Sequence, residues 1–202
     1  VRDPAVRVLF MSGASAVGAA YRGFREHFEK LFFAGPGGMP VAVVFQDADP
    51  EAAARFIARR AFINGGQYCT TIKKALIHAG LYEAVREKIL GYAGVLKVGD
   101  PLDMGTDIGP IRVGRTIRIV EHALSQCNGA RVLAGGIDKP FIHPLVVEVE
   151  QIPDLELFGP FLALKPFDDA RGAVREVLGT RYGFLVAYFG TPPEDAPRLF
   201  SE

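Results

Sequence analysis

The chain has 202 residues, of which 49% are hydrophobic, so it can bury the core of one large domain or of one and a half smaller ones. It carries 23 basic and 23 acidic residues, and this zero net charge gives no long-range field that would attract nucleic acid or an anionic membrane. Two cysteines do not make a disulfide framework, so we expect a protein of the reducing cytoplasm.

Both ends of the sequence indicate an interrupted chain. It opens on Val1 without an initiator Met and enters an apolar run almost at once, and its last residues, 199–202, continue a predicted helix. We therefore expect a fragment of a longer chain. The sequence shows no leader of charged, then apolar, then small residues, and its longest apolar runs have the length of strands rather than of membrane spans.

The first elements follow a strand–helix–strand order. Residues 6–10 are apolar and partly β-branched, which predicts a buried strand, and the turn at 12–15 leads into an amphipathic helix over 16–29. Residues 31–34 predict a second strand. The sequence Gly-Pro-Gly-Gly at 35–38 then predicts a break, because Gly and Pro are unfavourable inside a helix or strand.

The next helix has a well-marked start and end. After a predicted strand at 41–45, Asp49 is a good N-cap and Pro50 suits the first helical turn. Apolar side chains then recur every 3.6 residues as far as Ala61, and the sequence Asn-Gly-Gly at 64–66 ends the helix.

The remaining elements alternate between strand and helix. We predict strands at 74–78, 131–133, 145–149, 162–167 and 184–189, and helices at 82–92, 113–126 and 170–178. This alternation is typical of an α/β fold with a mostly parallel sheet and flanking helices.

Cys69 is the first candidate for chemistry. It lies in a short loop just after Gly65 and Gly66, where small residues let a ligand approach the backbone. A thiolate in such a loop is a strong nucleophile. A free cysteine is, however, often a small buried hydrophobic residue, and the local sequence leaves both interpretations open.

Other residues give weaker patterns. Cys127 ends a predicted helix, and we interpret it as a bystander. The four histidines are dispersed without the spacing of metal ligands, so we predict no metal site. The turn at 12–15 is a candidate phosphate site, because a helix N-terminus offers free N–H groups and the positive end of the helix dipole.

Six short motifs follow one another along the chain. They are FMSGASAVG at 10–18, GG with the strand and DAD that follow it at 37–49, NGGQYCT at 64–70, GDPLD and TDIGP within 99–110, ELFGP at 156–160 and YGF at 182–184. In this order and spacing they resemble the aldehyde dehydrogenase family. Each motif alone can arise by chance, but together they extend the resemblance over essentially the whole chain, which would be roughly two-fifths of a family member.

The resemblance implies a domain organisation and a set of ligands. Residues 1–38 would be the C-terminal piece of a Rossmann-like NAD-binding domain, and residues 39–202 most of an α/β catalytic domain. The cofactor would be NAD or NADP, without a metal, and the substrate an aldehyde. The full-length protein would be a homodimer or homotetramer.

The resemblance also implies roles for individual residues. Cys69 would attack the aldehyde carbonyl to give a thiohemiacetal, and its own backbone N–H would donate to the oxyanion, together with an Asn side chain N-terminal to this chain. Hydride transfer to the nicotinamide would leave a thioester. Glu156 would accept hydrogen bonds from the nicotinamide ribose hydroxyls, with Phe158 packed nearby. Gly13 would let the pyrophosphate approach the helix start.

The chain departs from the family pattern at several positions. Gly35 replaces the Glu that serves as general base in the family's Glu-Leu-Gly-Gly-Lys motif, and Met39 replaces its Lys. Ala14, Lys74 and Leu178 stand where the family usually has Ser, Arg and Asn. Because a positioned base contributes about 10²–10⁴-fold, we expect slow hydrolysis of the thioester.

Three functions therefore stay open. In the first, the chain belongs to an enzyme that oxidises an aldehyde to an acid through a Cys69 thioester, and another carboxylate takes the place of the missing base. Alternatively, the enzyme transfers the acyl group to coenzyme A, as do some relatives that lack this Glu. The third alternative is an aldehyde-dehydrogenase-like module without catalytic activity.

Overall fold

Contacts within the chain divide it into two units, Val1–Gly38 and Met39–Glu202. The computed structural model describes residues 3–28, 30–127, 129–151 and 154–196. Glu29, which ends the first predicted helix, and the predicted helix at 199–202 lie outside these residues. The assignment of the two units to a cofactor domain and a catalytic domain stays a prediction.

The first unit is a parallel strand–helix–strand arrangement. Strand β1 spans Val8–Gly13, helix α1 spans Ser15–Phe28, and strand β2 spans Leu31–Pro36. The predicted break at Gly35 is wrong, because β2 continues through Gly35 and Pro36, paired with Ser12 and Gly13. Pro36 is tolerated there because it is the last residue of the strand, where its missing N–H removes a single hydrogen bond.

The second unit is built around a mixed sheet. Within the described residues its strand order is β5-β6-β7-β4-β3-β8, and each neighbouring pair is parallel except the antiparallel pair β5-β6. The strands are β3 (Val41–Val44), β4 (Lys74–His78), β5 (Arg131–Asp138), β6 (Phe141–Glu148), β7 (Phe161–Phe167) and β8 (Val186–Phe189). This confirms the predicted α/β class with a mostly parallel sheet.

Four α-helices of the second unit lie within the described residues: α2 (Pro50–Phe62), α3 (Ala79–Gly94), α4 (Gly114–Gln126) and α5 (Ala170–Leu178). The predicted start of α2 is confirmed, since the Asp49 side chain accepts a hydrogen bond from the Glu51 N–H at 2.9 Å and Pro50 is the first helical residue. A short 3-10 helix, Ile63–Gly66, follows α2 and leads into the loop with Cys69.

Helices cover the sheet on both faces. Ala75 and Ile77 of β4 pack in one apolar cluster with side chains of α2 and α3, whereas Leu76 between them packs with Ala173 and Val177 of α5. Helix α4 packs against β6 and β7 on the same face of the sheet as α5. Because both faces of the central strands are buried, their sequences are continuous apolar runs rather than alternating ones.

The β5-β6 hairpin is longer than predicted. The predicted strands are 131–133 and 145–149. In the structure Gly135 forms an irregularity within β5, with φ of 77°, and the register shifts between Val132 and Ala134 and again between Ala134 and Gly136. A Cβ at Gly135 would lie 2.1 Å from the Pro144 carbonyl oxygen, so glycine permits the close strand pairing that continues to Asp138. Among the described residues, no helix is long and apolar enough to cross a membrane.

Candidate active site

The loop that carries Cys69 begins with an unusual backbone turn. Asn64, Gly65 and Gly66 are consecutive residues in the left-handed region, with φ of 53°, 59° and 68°. Glycine adopts this conformation without strain, and Asn tolerates it better than most other residues. The sequence Asn-Gly-Gly therefore reverses the chain at the end of α2 and leads into the segment that contains Cys69.

Hydrogen bonds fix the residues on both sides of Cys69. The Thr71 hydroxyl donates to the carbonyl oxygens of Tyr68 at 2.8 Å and Gly66 at 3.1 Å, and the Thr71 N–H donates to Tyr68 at 3.2 Å. The Arg60 guanidinium donates to the Thr70 hydroxyl at 2.9 Å. Cys69 itself is exposed, so an accessible thiol sits on a constrained loop.

The structure brings this loop together with the predicted cofactor-ribose motif. The Gly159 N–H donates to the Gly66 carbonyl oxygen at 3.0 Å, which joins the Cys69 loop to the segment before β7. Within that segment Leu157 is buried, whereas Glu156 and Phe158 are half-buried. Cys69, Glu156 and Phe158, far apart in the sequence, are thus carried by two segments in direct contact.

A further residue at this contact, Lys73, was not predicted. Its side chain is buried and its Nζ donates to the carbonyl oxygens of Gly66 and Gly159, each at 2.6 Å. Burial lowers the pKa of the Lys73 ammonium to about 7. The one signal in the sequence was the Lys73-Lys74 pair at the start of an apolar strand, since both faces of such a strand are covered in a parallel sheet.

Lys74, which replaces the family's usual Arg, is also buried, and its environment is ionic. Burial lowers the pKa of Lys74, while the carboxylates of Glu176 and Asp154 oppose this shift. Asp154 in turn accepts hydrogen bonds from the Thr180 hydroxyl at 2.6 Å and from Arg181 Nε at 2.7 Å. These contacts hold residue 154, close before Glu156, to the segment that precedes Tyr182.

Gly13 and Gly35 belong to the first unit. A Cβ at Gly13 would meet the Met11 sulfur at 3.5 Å, an ordinary contact, so packing does not require glycine there. Helix α1 begins two residues later, and its first turn contains no acidic side chain, which suits an anion at the helix N-terminus. A Cβ at Gly35 would have the Met11 carbonyl oxygen at 3.8 Å, so β2 has room for a larger residue at this position.

The second cysteine differs from the first in its surroundings. Cys127 ends α4 and is buried in the cluster between α4, β6 and β7. Burial raises the pKa of its thiol, which disfavours the reactive thiolate. Among the described residues, no group of three or more His, Cys, Asp or Glu side chains could hold a metal ion.

Comparison with known proteins connects this geometry to a family. Residues 1–202 match the model of the Aldehyde dehydrogenase family. A probable succinate-semialdehyde dehydrogenase (NADP(+)) of Sinorhizobium fredii is 33% identical over 198 residues, which cover 93% of this chain and 40% of that protein. Aldehyde dehydrogenase family 7 member A1 of Malus domestica is 31% identical over 202 residues, which cover 95% of this chain and 40% of that protein.

Solved structures give the same result. An NADP-dependent enzyme of E. coli superposes with a TM-score of 0.89 at 25% identity, and the match covers 99% of this chain and 44% of that enzyme. The fold is also that of a succinate-semialdehyde dehydrogenase from Burkholderia pseudomallei, with a TM-score of 0.89 at 24% identity and coverage of 99% and 44%.

The α/β fold and the matched sequence thus define the class: the chain belongs to the aldehyde dehydrogenase family. It spans about 40% of the length of the two curated relatives. The resemblance inferred from the six motifs is confirmed at the level of the family.

The tight contact at Gly66 gives a testable prediction. In Gly66→Ala the new Cβ would lie 2.1 Å from the Gly159 carbonyl oxygen, and the residue would keep a left-handed φ of 68°. We expect a loss of unfolding free energy of about 3 kcal/mol or more, measured by urea denaturation. The control is Gly91→Ala on α3, where nothing lies within 4 Å of the new Cβ and a gain of up to about 1 kcal/mol is expected. Equal changes in unfolding free energy for the two variants would contradict the close approach of Gly66 to the Gly159 carbonyl oxygen.

The lowered pKa of Lys73 gives a second prediction. Between about pH 7 and the pKa of an unfolded lysine, near 10.4, the unfolded chain binds a proton that the folded chain has released. The wild-type chain should therefore gain stability relative to Lys73→Met as the pH rises through this window, and the difference should be constant below pH 7. Urea midpoints of both proteins at pH 6, 7, 8 and 9 measure it. A difference independent of pH would show that Lys73 keeps an ordinary pKa.

Proposed function

We propose that the full-length protein containing this chain is an NAD(P)-dependent aldehyde dehydrogenase in which Cys69 is the nucleophile. The observation that supports this most directly is the contact between the loop of the exposed Cys69 and the segment of Glu156, made through Gly66 and Gly159. An accessible thiol and a carboxylate are thereby held on neighbouring rigid segments. The substrate is an aldehyde, and a homodimer or homotetramer stays our prediction for the assembly.

The residues fit a nicotinamide cofactor in two respects. The half-buried Glu156 carboxylate is an acceptor for ribose hydroxyls, on a segment tied to the nucleophile loop. In the first unit, Gly13 and the acid-free first turn of α1 suit a pyrophosphate. Bound NAD(P) would supply the hydride acceptor of the reaction.

The chain itself performs the first steps at the carbonyl carbon. The Cys69 thiolate adds to this carbon to form a carbon–sulfur bond and a thiohemiacetal oxyanion, and the Cys69 N–H donates to that oxyanion. When the oxyanion re-forms a carbonyl, the carbon loses its hydrogen as hydride and becomes a Cys69 thioester. The constrained backbone from Gly66 to Thr71 keeps the sulfur in place through these steps.

The fate of the thioester depends on position 35. Glycine cannot accept a proton from water, so the usual route to the free acid lacks its base. This observation favours a second candidate function, in which the thiol of coenzyme A attacks the thioester and releases acyl-CoA. Hydrolysis by another carboxylate is the alternative outcome, and a module without catalysis is the third.

Cysteine substitutions test the first half-reaction. In the full-length protein, Cys69→Ala should abolish single-turnover NAD(P)H formation with an aldehyde, because no thiohemiacetal can form. Cys127→Ala is the matched control and should retain the wild-type burst within about threefold, since the buried Cys127 thiol lies in the core. An undiminished burst of NAD(P)H in Cys69→Ala would show that Cys69 is not the nucleophile. The absence of a burst in the wild-type protein would favour the inactive module.

Product analysis tests the second half-reaction. Because Gly35 replaces the base, we expect steady-state turnover of the wild-type protein to rise at least about tenfold with coenzyme A, and acyl-CoA to appear as product. Gly35→Glu should restore hydrolysis, by about 10²–10⁴-fold, in the absence of coenzyme A. Gly35→Gln is the control, since its amide is not a base. Fast release of free acid by the wild-type protein would exclude transfer of the acyl group to coenzyme A as the main reaction.

A further inference from the structure

Lys73 is a buried amine without an anionic partner in the part of the chain that the structure describes. It is 1% exposed, and it makes no ion pair with any residue that the structure describes. Burial of an ammonium without an anion is unfavourable, and a methionine of similar length would avoid this cost. The groups that Lys73 binds must therefore account for its presence.

Lys73 binds two carbonyl oxygens from two separate segments. Its Nζ lies 2.6 Å from the Gly66 oxygen and 2.6 Å from the Gly159 oxygen. Gly66 precedes Cys69 by three residues, and Gly159 follows Glu156 by three residues. One ammonium therefore connects the segment of the nucleophile to the segment of the ribose-binding carboxylate, with no side chain between the two backbones.

The two glycines make this connection possible. Gly66 and Gly159 have φ of 68° and 130°, which side chains rarely allow. A Cβ on Gly66 would lie 2.9 Å from Lys73 Nζ and 2.1 Å from the Gly159 oxygen. The backbones thus approach closely enough for a single amine to bind both, and any separation of the segments would break at least one of the two bonds.

We propose that Lys73 is a positioning residue, which sets the placement of the Cys69 thiol relative to Glu156 by binding the Gly66 and Gly159 carbonyl oxygens at once. We call this arrangement the Lys73 clamp. The roles of Cys69 and Glu156 rest on the proposed function, whereas the clamp is a property of the chain itself. The ammonium carries three N–H groups and the neutral amine two, so either form can donate to both carbonyl oxygens, and the clamp persists above the pKa of Lys73, which is about 7.

Lys73→Met removes the clamp and leaves other donors in place. The Gly66 oxygen still accepts from the Gly159 N–H and the Thr71 hydroxyl, and the Gly159 oxygen still accepts from the Phe161 N–H at 2.8 Å. The variant therefore leaves neither carbonyl unsatisfied. Thr71→Val is the matched control, because it removes a donor to the same Gly66 oxygen without touching Gly159.

Amide hydrogen exchange of the full-length protein tests the clamp independently of activity. The Gly159 N–H should exchange roughly 10- to 100-fold faster in Lys73→Met, and within about threefold of wild type in Thr71→Val. The amides of β4 are the internal reference and should keep their protection. Unchanged exchange at Gly159 would overturn the clamp, and a loss of protection throughout β4 would assign Lys73 a purely structural role.

Kinetics of the full-length protein test positioning. In Lys73→Met the single-turnover rate of NAD(P)H formation should fall roughly 10- to 100-fold, with the KM for the aldehyde changed less than about threefold, because a misplaced thiol slows attack more than binding. Faster Gly159 exchange with an unchanged rate would overturn the positioning role. Failure of the proposed function would instead appear as a missing burst in wild type, and would leave the exchange result intact.

Discussion

The candidate site depends on the hydrogen bonds that the Gly66 carbonyl oxygen accepts. This oxygen accepts hydrogen bonds from the Gly159 N–H, from Lys73 Nζ and from the Thr71 hydroxyl. A carbonyl oxygen has two lone pairs, so three donors saturate it. Its direction follows from the left-handed turn at Asn64, Gly65 and Gly66, a conformation that glycine and asparagine adopt more readily than other residues.

The hydrogen bonds to the Gly66 carbonyl oxygen connect the conformation of the loop after α2 to the position of Cys69. The loop after α2 would otherwise be a short exposed connection, and such loops are mobile. Here the Gly66 contact fastens it to the segment that leads into β7, while Arg60 fastens it to α2 through Thr70. The exposed thiol of Cys69 therefore lies on a loop with hydrogen bonds on both sides, a constraint that the proposed role as a positioned nucleophile requires.

Where local chemistry decides the structure, the sequence was sufficient to predict it. Strand 74–78 and helix 170–178 occur with the predicted limits. The helix is bounded by Asp169, whose carboxylate accepts from the N–H groups of Arg171 and Gly172 at 3.0 and 2.9 Å, and it ends before Gly179. N-caps and apolar periodicity are local signals, so neighbouring residues are enough to identify such elements.

The differences between the predicted and the observed structure arise from contacts between segments that are distant in the sequence. The predicted strand ends at residue 133, but β5 continues through Gly135, an irregularity that allows close approach to Pro144. Lys73 was not among the predicted site residues. Its burial follows from helices on both faces of the sheet and from the approach of Gly159, and neither can be inferred from residues near position 73. The motifs located Cys69 and Glu156, but not the residue that connects their segments.

The two halves of the proposed reaction depend on different parts of the chain. The proposed nucleophile Cys69 and the proposed ribose-binding residue Glu156 lie on segments joined through Gly66, Gly159 and Lys73, so a change at this junction would affect packing as well as the proposed chemistry. Position 35 lies on β2 in the first unit, where glycine meets no steric constraint from its neighbours. In the proposed reaction, a glycine at position 35 removes the base for release of the thioester, whereas Lys73 joins the segments of Cys69 and Glu156 through Gly66 and Gly159. Substitutions at position 35 and at this junction therefore address different halves of the proposed reaction.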